Sequence, residues 1–251
     1  SPEASRVAYG IGISHIAFSD SPQATAVMKL SLPYVTKLLT PWIIPKQDFD
    51  GFGIDYKNII RYRAIDAGVI IKNYKKNKQK RLNGEKIILI RPEESEAAYI
   101  RKKSKTIKIL KKIVEEFPAE QKIVLSRYKD QSKNLKKIFG NNISLLSKPV
   151  NGKELLKNVD CFIGSGGTMT AESGLLGIPT ISLNAVPNRI EEFLVKKRII
   201  VRSENPDRIS REICQSLNNL QIIKKKKEKA RKLVASFEDP YQVLLKTMKS
   251  L

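Results

Sequence analysis

One segment of the sequence, from Asp160 to Ser182, predicts a strand, a glycine turn, a helix and a second strand in unbroken succession. Val159 to Ile163 is a short apolar run typical of a buried strand. Thr168 to Leu176 has the pattern of a helix, and Gly177 ends it before the next apolar run, Ile178 to Leu183. Two strands joined through a helix are the unit of a parallel sheet, so this segment predicts an α/β fold.

The glycine turn in this segment predicts a phosphate-binding site. Gly164, Gly166 and Gly167 lie where the chain must turn sharply and where a ligand can approach the backbone. The helix that opens directly after them presents unpaired N–H groups and the positive end of its dipole, and both favour a bound anion. Glu172, one turn inside this helix, is placed to accept hydrogen bonds from ribose hydroxyls beside the phosphates.

Strands and helices alternate between residues 87 and 197, which predicts a parallel, doubly wound sheet. Such sheets bind ligands at the carboxyl ends of their strands. Besides the segment above, the predicted strands are Ile87 to Ile90, Lys122 to Leu125 and Ile143 to Leu146. The predicted helices are Ala97 to Phe117, Asp130 to Phe139, Gly152 to Asn158 and Asn188 to Lys197.

The residues that directly follow these strands predict a diphosphate site on one rim of the sheet. They include two arginines, a lysine and the glycine turn, all of which bind phosphate oxygens readily. The set is Arg91, Arg127, Lys148-Pro149-Val150, Ser165-Gly166-Gly167 and Asn184. An arginine in such a position is as often part of a surface ion pair as it is a phosphate ligand. The prediction therefore depends on both arginines lying on the same rim of the sheet.

Changes in composition divide the sequence into four parts. Residues 67–84 contain a polar, basic run from Lys72 to Gly84 without apolar periodicity, and we predict a linker there. Residues 85–235 form the larger α/β unit, and residues 236–251 contain a terminal helix. Residues 1–66 form a smaller unit with few strands for a core of its own. Its predicted helices are Pro2 to Tyr9 and Pro22 to Leu30, and its predicted strands are His15 to Phe18 and Val35 to Thr40.

The composition is that of a globular protein. The 251-residue chain is 41% hydrophobic, which can supply the cores of one large domain or two small ones. It has no apolar run near the ~20 residues that cross a bilayer and no signal-peptide pattern, so we expect a cytoplasmic protein. The two cysteines, Cys161 and Cys214, are spaced for neither a metal site nor a disulfide framework. With one histidine in the chain, neither a metal nor another cofactor is expected.

The formal net charge of +22 favours an ordinary solvated surface. Basic residues are spread along amphipathic helices, and the densest run, Lys224 to Lys227, has no interleaved aromatic residue to stack on a base. Peripheral contact with an anionic membrane is the alternative, and specific nucleic-acid binding is the least favoured.

Five segments carry a family resemblance: Pro2 to Gly10, Asp20 to Pro22, Thr40 to Pro45, Arg91 to Glu94 and Gly164 to Glu172. Over the whole chain they resemble the mainly archaeal family called domain of unknown function 354 (DUF354). Its members resemble the GT-B glycosyltransferases, which have two Rossmann-like domains. They also resemble the non-hydrolysing UDP-N-acetylglucosamine 2-epimerases, which share that fold.

The resemblance implies an identity for each part of the chain. Residues 85–235 are expected to be a complete nucleotide-sugar-binding domain, and the helix in 236–251 is expected to cross back to the first domain. Residues 1–66 are expected to be the remainder of an N-terminal, acceptor-side Rossmann-like domain. Since Pro2 to Gly10 resembles the middle of the family's first domain, we expect its opening strands to be missing.

The resemblance also implies roles for residues of the larger unit. Gly166 to Glu172, including Thr168, is similar to the segment of the MurG family in which a helix N-terminus meets the nucleotide and a glutamate binds the ribose. Ser165, Gly166 and Gly167 resemble the serine-glycine-glycine that contacts the diphosphate in the 2-epimerases. The position of the glutamate in this segment differs by one residue between these two relatives. Pro149 and Val150 lie where the relatives hold the base, although Pro149 is equally explained as a loop residue.

The catalytic base is predicted in the smaller unit, because inverting transfer needs a group that takes a proton from the acceptor. We predict His15 and Asp20 as catalytic, with Glu3 as a further candidate. A lone histidine at the start of a strand is more often structural, and an aspartate before Ser21-Pro22 is more often a helix cap. The segment implied to be missing is an alternative location for the base.

The predicted function is that of a GT-B glycosyltransferase. The chain is expected to bind a nucleotide diphosphate-sugar, UDP-based by resemblance, and to transfer the sugar to an acceptor that the sequence does not identify. A carboxylate cluster like that of the 2-epimerases is not recognisable, so a UDP-N-acetylglucosamine 2-epimerase is the second hypothesis. The third hypothesis is a non-catalytic basic protein that binds nucleic acid or a membrane surface.

Overall fold

The computed structural model describes residues 1–72, 85–93, 106–146, 151–183 and 187–251. Every strand pair in these residues is parallel, and the strands form two sheets connected by helices. This arrangement confirms the predicted α/β fold with Rossmann-like sheets. None of the described helices is long and apolar enough to cross a bilayer.

The first sheet has three described strands in the order β1-β2-β3. Ser1 caps the first helix, because its Oγ accepts a hydrogen bond from the Ala4 N–H (3.3 Å), and Pro2 fits the first turn. The third strand and the helix that follows it were not predicted. The elements are α1 (Pro2–Gly10), β1 (Ile16–Phe18), α2 (Thr25–Ser31), β2 (Lys37–Pro41), β3 (Ile59–Tyr62) and α3 (Asp66–Lys72).

The second sheet has six described strands in the order β6-β5-β4-β7-β8-β9. The strand order reverses between β4 and β7, which makes the crevice beyond their carboxyl ends the expected ligand-binding position of a doubly wound sheet. The strands are β4 (Ile87–Arg91), β5 (Gln121–Leu125), β6 (Ser144–Leu146), β7 (Cys161–Gly164), β8 (Thr180–Ser182) and β9 (Val201–Arg202).

Helices flank the second sheet, and several begin at side-chain caps. Asn188 Oδ1 accepts from the Glu191 N–H (2.8 Å), and Asn205 Oδ1 accepts from the Arg208 N–H (3.0 Å). These helices are α4 (Thr106–Glu116), α5 (Lys129–Phe139), α6 (Gly152–Lys157), α7 (Thr168–Leu175), α8 (Arg189–Lys196), α9 (Pro206–Asn218), α10 (Leu220–Ala235) and α11 (Pro240–Met248). Residues 97–105 of the predicted helix Ala97 to Phe117 lie outside the described residues.

One hydrophobic cluster joins the two sheets. Leu39 and Tyr62 contribute to it from the first sheet, and Leu175, Ile200 and Phe237 contribute from the elements of the second. All five side chains are at most 3% exposed, so this cluster is closed to solvent. This interface fixes the carboxyl ends of the first-sheet strands relative to the glycine turn.

The predicted linker of residues 67–84 is wrong at its start. Residues 67–72 belong to α3, in which Ala67, Gly68 and Ile71 are buried. Helix α3 packs against α7 and α10, so its apolar side chains find partners from the distant part of the chain. Residues 73–84 lie outside the described residues.

The C-terminal segment returns to the first sheet. The Glu238 N–H donates to the Arg63 carbonyl (3.0 Å), and Lys72 Nζ donates to the Phe237 carbonyl (2.8 Å). The Phe237 ring lies 5.9 Å from the Trp42 ring, between centroids. Residues 236–239 thereby tie α11 to the first unit.

Candidate functional site

The glycine turn has a backbone that requires glycine. Gly166 and Gly167 have φ values of +96° and +80°, in the left-handed region that other residues rarely adopt. A Cβ at Gly164 would lie 2.4 Å from Thr170 Oγ1, which itself donates to the Gly166 carbonyl (3.1 Å). Gly167 is the N-cap of α7, so the unpaired N–H groups of this helix open onto the turn.

The structure brings Arg91, Arg127 and Ser165 together at the point where the strand order reverses. Arg91 ends β4 and pairs in register with Gly164 of β7. Arg127 Nε and Ser165 Oγ both donate to the Pro92 carbonyl, each at 3.4 Å. Arg91 at the end of β4 and Arg127, two residues after β5, therefore lie on the same rim as the glycine turn.

Of the remaining residues predicted to bind the nucleotide, two are described by the structure and two are not. Thr168 is the first residue of α7 and is exposed, and Glu172 lies one turn further along and is half-buried. Pro149 and Val150, predicted to hold the base, lie outside the described residues, as do Lys148 and Asn184.

A cavity of about 230 Å³ lies between the two sheets. Gly167 and Thr168 line one side of it, and Asp20 and Asp66 come from the first unit. Its apolar lining is formed by Ile65, Ala67, Ala171, Ile190, Leu194 and Ile200. The predicted base Asp20 and the predicted phosphate turn therefore border the same space.

The two predicted catalytic residues lie at opposite ends of β1. Asp20 follows the carboxyl end of this strand, whereas His15 precedes Ile16 at its amino end. The His15 backbone pairs with Thr36: its N–H donates to Thr36 Oγ1 (2.9 Å), and its carbonyl accepts from the Thr36 N–H (2.9 Å). His15 Nδ1 is buried without a hydrogen-bond partner among the described residues. Of the two residues, the structure brings Asp20 to the cavity and leaves His15 away from it.

Tyr62 and Asp66 form a pair that the sequence did not reveal. The Tyr62 hydroxyl donates to Asp66 Oδ1. Burial raises the pKa of Tyr62, and the hydrogen bond to Asp66 adds to that effect. Burial also raises the pKa of Asp66, and the like charge of Asp20 contributes in the same direction, while the Tyr62 hydrogen bond opposes it. The carboxyl groups of Asp20 and Asp66 both line the cavity.

Glu191 is a further acidic residue of the cavity lining that sequence reasoning missed. Its side chain is 3% exposed, and Oε1 accepts from Arg202 Nε (2.8 Å). Glu191 Oε2 and Arg202 Nη2 are buried without hydrogen-bond partners among the described residues. In the sequence, Glu191 looks like an ordinary acidic residue in the first turn of a helix.

An ion pair outside the cavity links the two units. Arg189 Nε and Nη2 donate to the two carboxylate oxygens of Asp48 at 2.7 and 2.9 Å. Asp48 lies after β2, and Arg189 opens α8, so this bidentate pair joins the first unit to the second.

The family is shown by a match over nearly the whole chain. The model of the family described as "Protein of unknown function (DUF354)" matches residues 1–250. The chain belongs to this family. A similar relative is an uncharacterized protein of Methanocaldococcus jannaschii, MJ0665, which is 25% identical over 216 residues. The match covers 82% of this chain and 62% of MJ0665, so the chain spans less than two thirds of that relative's length.

Solved structures of UDP-sugar proteins share the fold. The UDP-GlcNAc 2-epimerase of Neisseria meningitidis, bound to UDP-GlcNAc, matches with a TM-score of 0.71 at 14% identity, over 100% of this chain and 73% of its own. The M. jannaschii UDP-GlcNAc 2-epimerase, with UDP-GlcNAc and UDP, matches with a TM-score of 0.61 at 17% identity, over 90% and 70%. Anabaena HepE, in complex with UDP and glucose, has a TM-score of 0.66 at 10% identity, over 100% and 76%. These likenesses establish the GT-B-type fold of the DUF354 chain.

Proposed function

We propose that this DUF354 protein binds a nucleotide diphosphate-sugar and transfers the sugar to an acceptor hydroxyl. The observation that carries the proposal is the cavity in which Asp20 of the first unit and the glycine turn of the second line the same space. A phosphate-binding turn and a carboxylate base on two walls of one cavity are the parts that such a transfer needs.

The binding half of the proposal rests on the second sheet. The opening N–H groups of α7 and the two arginines, Arg91 and Arg127, lie at the crevice beyond β4 and β7. Positive groups of this kind bind a diphosphate and stabilise its negative charge as it departs. The UDP ligands of the structurally similar proteins favour a uridine nucleotide.

The chemical half rests on Asp20. Its Oδ1 accepts from Ser21 Oγ (2.7 Å), and this hydrogen bond helps to position the carboxyl group at the cavity. An ionised carboxylate takes the proton of the acceptor hydroxyl as the sugar–oxygen bond forms, and the nucleoside diphosphate leaves with the bonding electrons. Since the arginines and the α7 dipole supply the positive charge, the proposed reaction requires no metal.

Ligand-dependent thermal stability tests the binding half. We expect UDP and UDP-sugars to raise the melting temperature, since a ligand at 100 times its Kd stabilises a protein by about 2.7 kcal/mol. Gly166→Val should abolish the shift, because it strains the turn and covers the phosphate position. Gly51→Val is the matched control, since Gly51 has the same left-handed backbone (φ +75°) with open space around it. If no nucleotide stabilises the wild-type protein, or if both variants respond alike, the binding proposal is wrong.

Release of UDP from UDP-sugars in the presence of candidate acceptors tests the chemical half. We expect Asp20→Asn to lower turnover by about 10²–10⁴-fold, the usual contribution of a general base, while UDP affinity is unchanged. Equal turnover in this variant would exclude Asp20 as the base. His15→Gln serves as the comparison, since His15 lies at the other end of β1.

A 2-epimerase is the second candidate, because the structure supplies a carboxylate pair that the sequence did not show. Asp20 and Asp66 both line the cavity, and epimerisation needs groups that remove and return a proton. Incubation with UDP-N-acetylglucosamine alone separates the candidates, since an epimerase forms a second UDP-sugar without an acceptor and a transferase does not.

A further inference from the structure

Hydrogen bonds join three loops at the rim where the strand order reverses. The loops follow β4, β5 and β7. The carbonyl of Pro92, a buried residue in the first loop, accepts from Arg127 Nε of the second loop and from Ser165 Oγ of the third, each at 3.4 Å. One backbone oxygen therefore binds two of the residues predicted to contact the diphosphate.

Gln131 makes a second connection between the loops after β4 and β5. It is the third residue of α5, and its side chain reaches back to the loop that precedes the helix. Its Oε1 accepts from the Arg127 N–H at 2.9 Å, and its Nε2 donates to the Glu93 carbonyl at 3.3 Å. The amide of Gln131 thus uses its acceptor on one loop and its donor on the other.

The two connections act on both ends of Arg127. Gln131 holds the backbone N–H of this residue, and the Pro92 carbonyl holds its Nε. Gln131 also holds the residue next to Pro92, so it fixes the loop of Arg127 relative to the oxygen that orients the guanidinium. Because a guanidinium is a rigid planar fork, fixing Nε sets the plane in which its other donors lie.

Arg91 is held in a different way. It precedes Pro92, which restricts its backbone to extended conformations. Its Nη1 donates to Met169 Sδ at 3.6 Å, and Met169 is the second residue of α7. The guanidinium of Arg91 is therefore placed by the helix that opens at the glycine turn, whereas the placement of Arg127 depends on Gln131 of α5.

We propose that Gln131 is a positioning residue for Arg127, and that it holds the guanidinium in the orientation that binds a phosphate group. The inference rests on the proposed function, in which Arg127 contacts the diphosphate. Gln131 acts through Arg127 and does not itself bind the ligand. Such preorganisation strengthens binding, because the ligand does not have to order the arginine and its loop.

A double-mutant cycle tests this role, because it measures whether two residues act together. Gln131→Met keeps the approximate length of the side chain and removes both hydrogen bonds. We expect it to weaken the binding of UDP and of inorganic pyrophosphate about tenfold, within the range given by the loss of one or two hydrogen bonds. In the Arg127→Ala background the same change should have almost no effect. Equal losses in the two backgrounds, measured by calorimetric titration of the whole chain, would overturn the proposal.

Gln221→Met is the matched control for Gln131→Met. Gln221 lies in the first turn of α10 and is exposed, so its replacement should leave both affinities unchanged. Gln131→Ala repeats the measurement with a residue of high helix propensity, and the circular dichroism spectrum shows whether each variant is folded. Wild-type affinity in either folded Gln131 variant would exclude the positioning role.

Uridine separates the positioning of Arg127 from a general loosening of the site. It has the base and ribose of UDP without the phosphates, so its affinity should be the same in Gln131→Met as in the wild type. A loss for uridine as large as the loss for UDP would mean that Gln131 supports the whole site, and the proposal would be wrong.

Pyrophosphate keeps this test apart from the test of the proposed function. If pyrophosphate binds the wild type and UDP does not, the nucleotide proposal falls, and the cycle measured with pyrophosphate still decides the role of Gln131. If neither binds, both proposals fall.

Discussion

At the scale of single residues, the carboxyl of Asp66 links the candidate site to stability. Its pKa is higher in the folded chain than in the unfolded chain, mainly because it is buried. The folded protein therefore binds more protons than the unfolded protein between the two pKa values. The free energy of unfolding accordingly falls as the pH rises through this window.

Asp66→Asn should remove this pH dependence. The amide cannot ionise, and its oxygen can still accept from Tyr62. We expect the free energy of unfolding of the variant to exceed that of the wild type by more at pH 7 than at pH 4, as measured by urea unfolding. Asp50→Asn is the control, since its Tyr56 partner lies on the exposed surface. An equal difference in the free energy of unfolding between variant and wild type at both pH values would contradict this account.

The two cysteines provide a second prediction at this scale. Cys161 lies in the central strand β7 with no exposed surface, and burial raises the pKa of its thiol to about 12. Cys214 is on the exposed surface. Ellman's reagent at pH 8 should react quickly with one thiol per folded chain and with two per chain in guanidinium. Two fast thiols in the folded protein would contradict the buried position of β7.

The sequence could predict those site residues that lie at the end of a recognisable strand. Arg91 is the last residue of β4 and Ser165 directly follows β7, so the position of each on the rim is predictable from its strand. Asp66, Tyr62 and Glu191 carry no such signal, because their surroundings form only when distant elements pack together. The cavity lined by Asp66 and Glu191 draws on both units, and Tyr62 lies in the cluster that joins the two sheets. Arg202 meets Glu191 across eleven residues and two elements. The burial of Glu191 and its ion pair with Arg202 can be recognised only once the elements are packed together.

At the scale of elements, α3 depends on the C-terminal segment. A Cβ at Gly68 would lie 2.3 Å from Phe237 Cε2 and 2.7 Å from Phe237 Cδ2. Phe237 is 3% exposed, so its ring is enclosed by neighbouring residues. A methyl group at position 68 would therefore collide with the Phe237 ring.

Gly68→Ala should lower the free energy of unfolding by about 1–3 kcal/mol, the usual cost of overpacking. In an open helix the same change is favourable, because glycine loses more backbone entropy on folding than alanine. Gly10→Ala in α1 is the control, since no atom lies within 4 Å of its added Cβ, and its effect should be within about 0.5 kcal/mol. Equal unfolding curves for both variants would show that the Phe237 ring moves to accommodate the added methyl group without a cost in stability.

Element prediction succeeded where the apolar pattern was long and failed where it was short. The strands and helices from β4 to α8 were predicted in the correct order within the described residues. Strand β3 has four residues that include Arg61, and β9 has two residues, so neither contains the alternating or continuous run that indicates a strand. Helix α3 was assigned to the linker because the basic run begins at its last residue, Lys72.

At the scale of the whole molecule, one hydrophobic cluster contains side chains from both units. Trp42, the single tryptophan, lies against Phe193 of α8 and against Phe237, with ring centroids 5.3 and 5.9 Å apart. Its fluorescence therefore reports on the junction of the two units. The bidentate Asp48–Arg189 pair adds a polar contact across the same junction.

This shared cluster should make the chain unfold as one cooperative unit. We expect the urea transition followed by Trp42 fluorescence to coincide with the transition followed by far-UV circular dichroism, since a two-state protein gives the same curve by every probe. Phe237→Ala should lower the free energy of unfolding by about 3–5 kcal/mol, the usual cost of truncating a buried phenylalanine. Because Phe237 joins both units, the two curves should also separate in this variant, with the fluorescence transition at the lower urea concentration. A wild-type fluorescence transition at a lower urea concentration than the dichroism transition would mean that the junction opens before the sheets unfold. The cluster between the two units would then not hold the two sides of the cavity together.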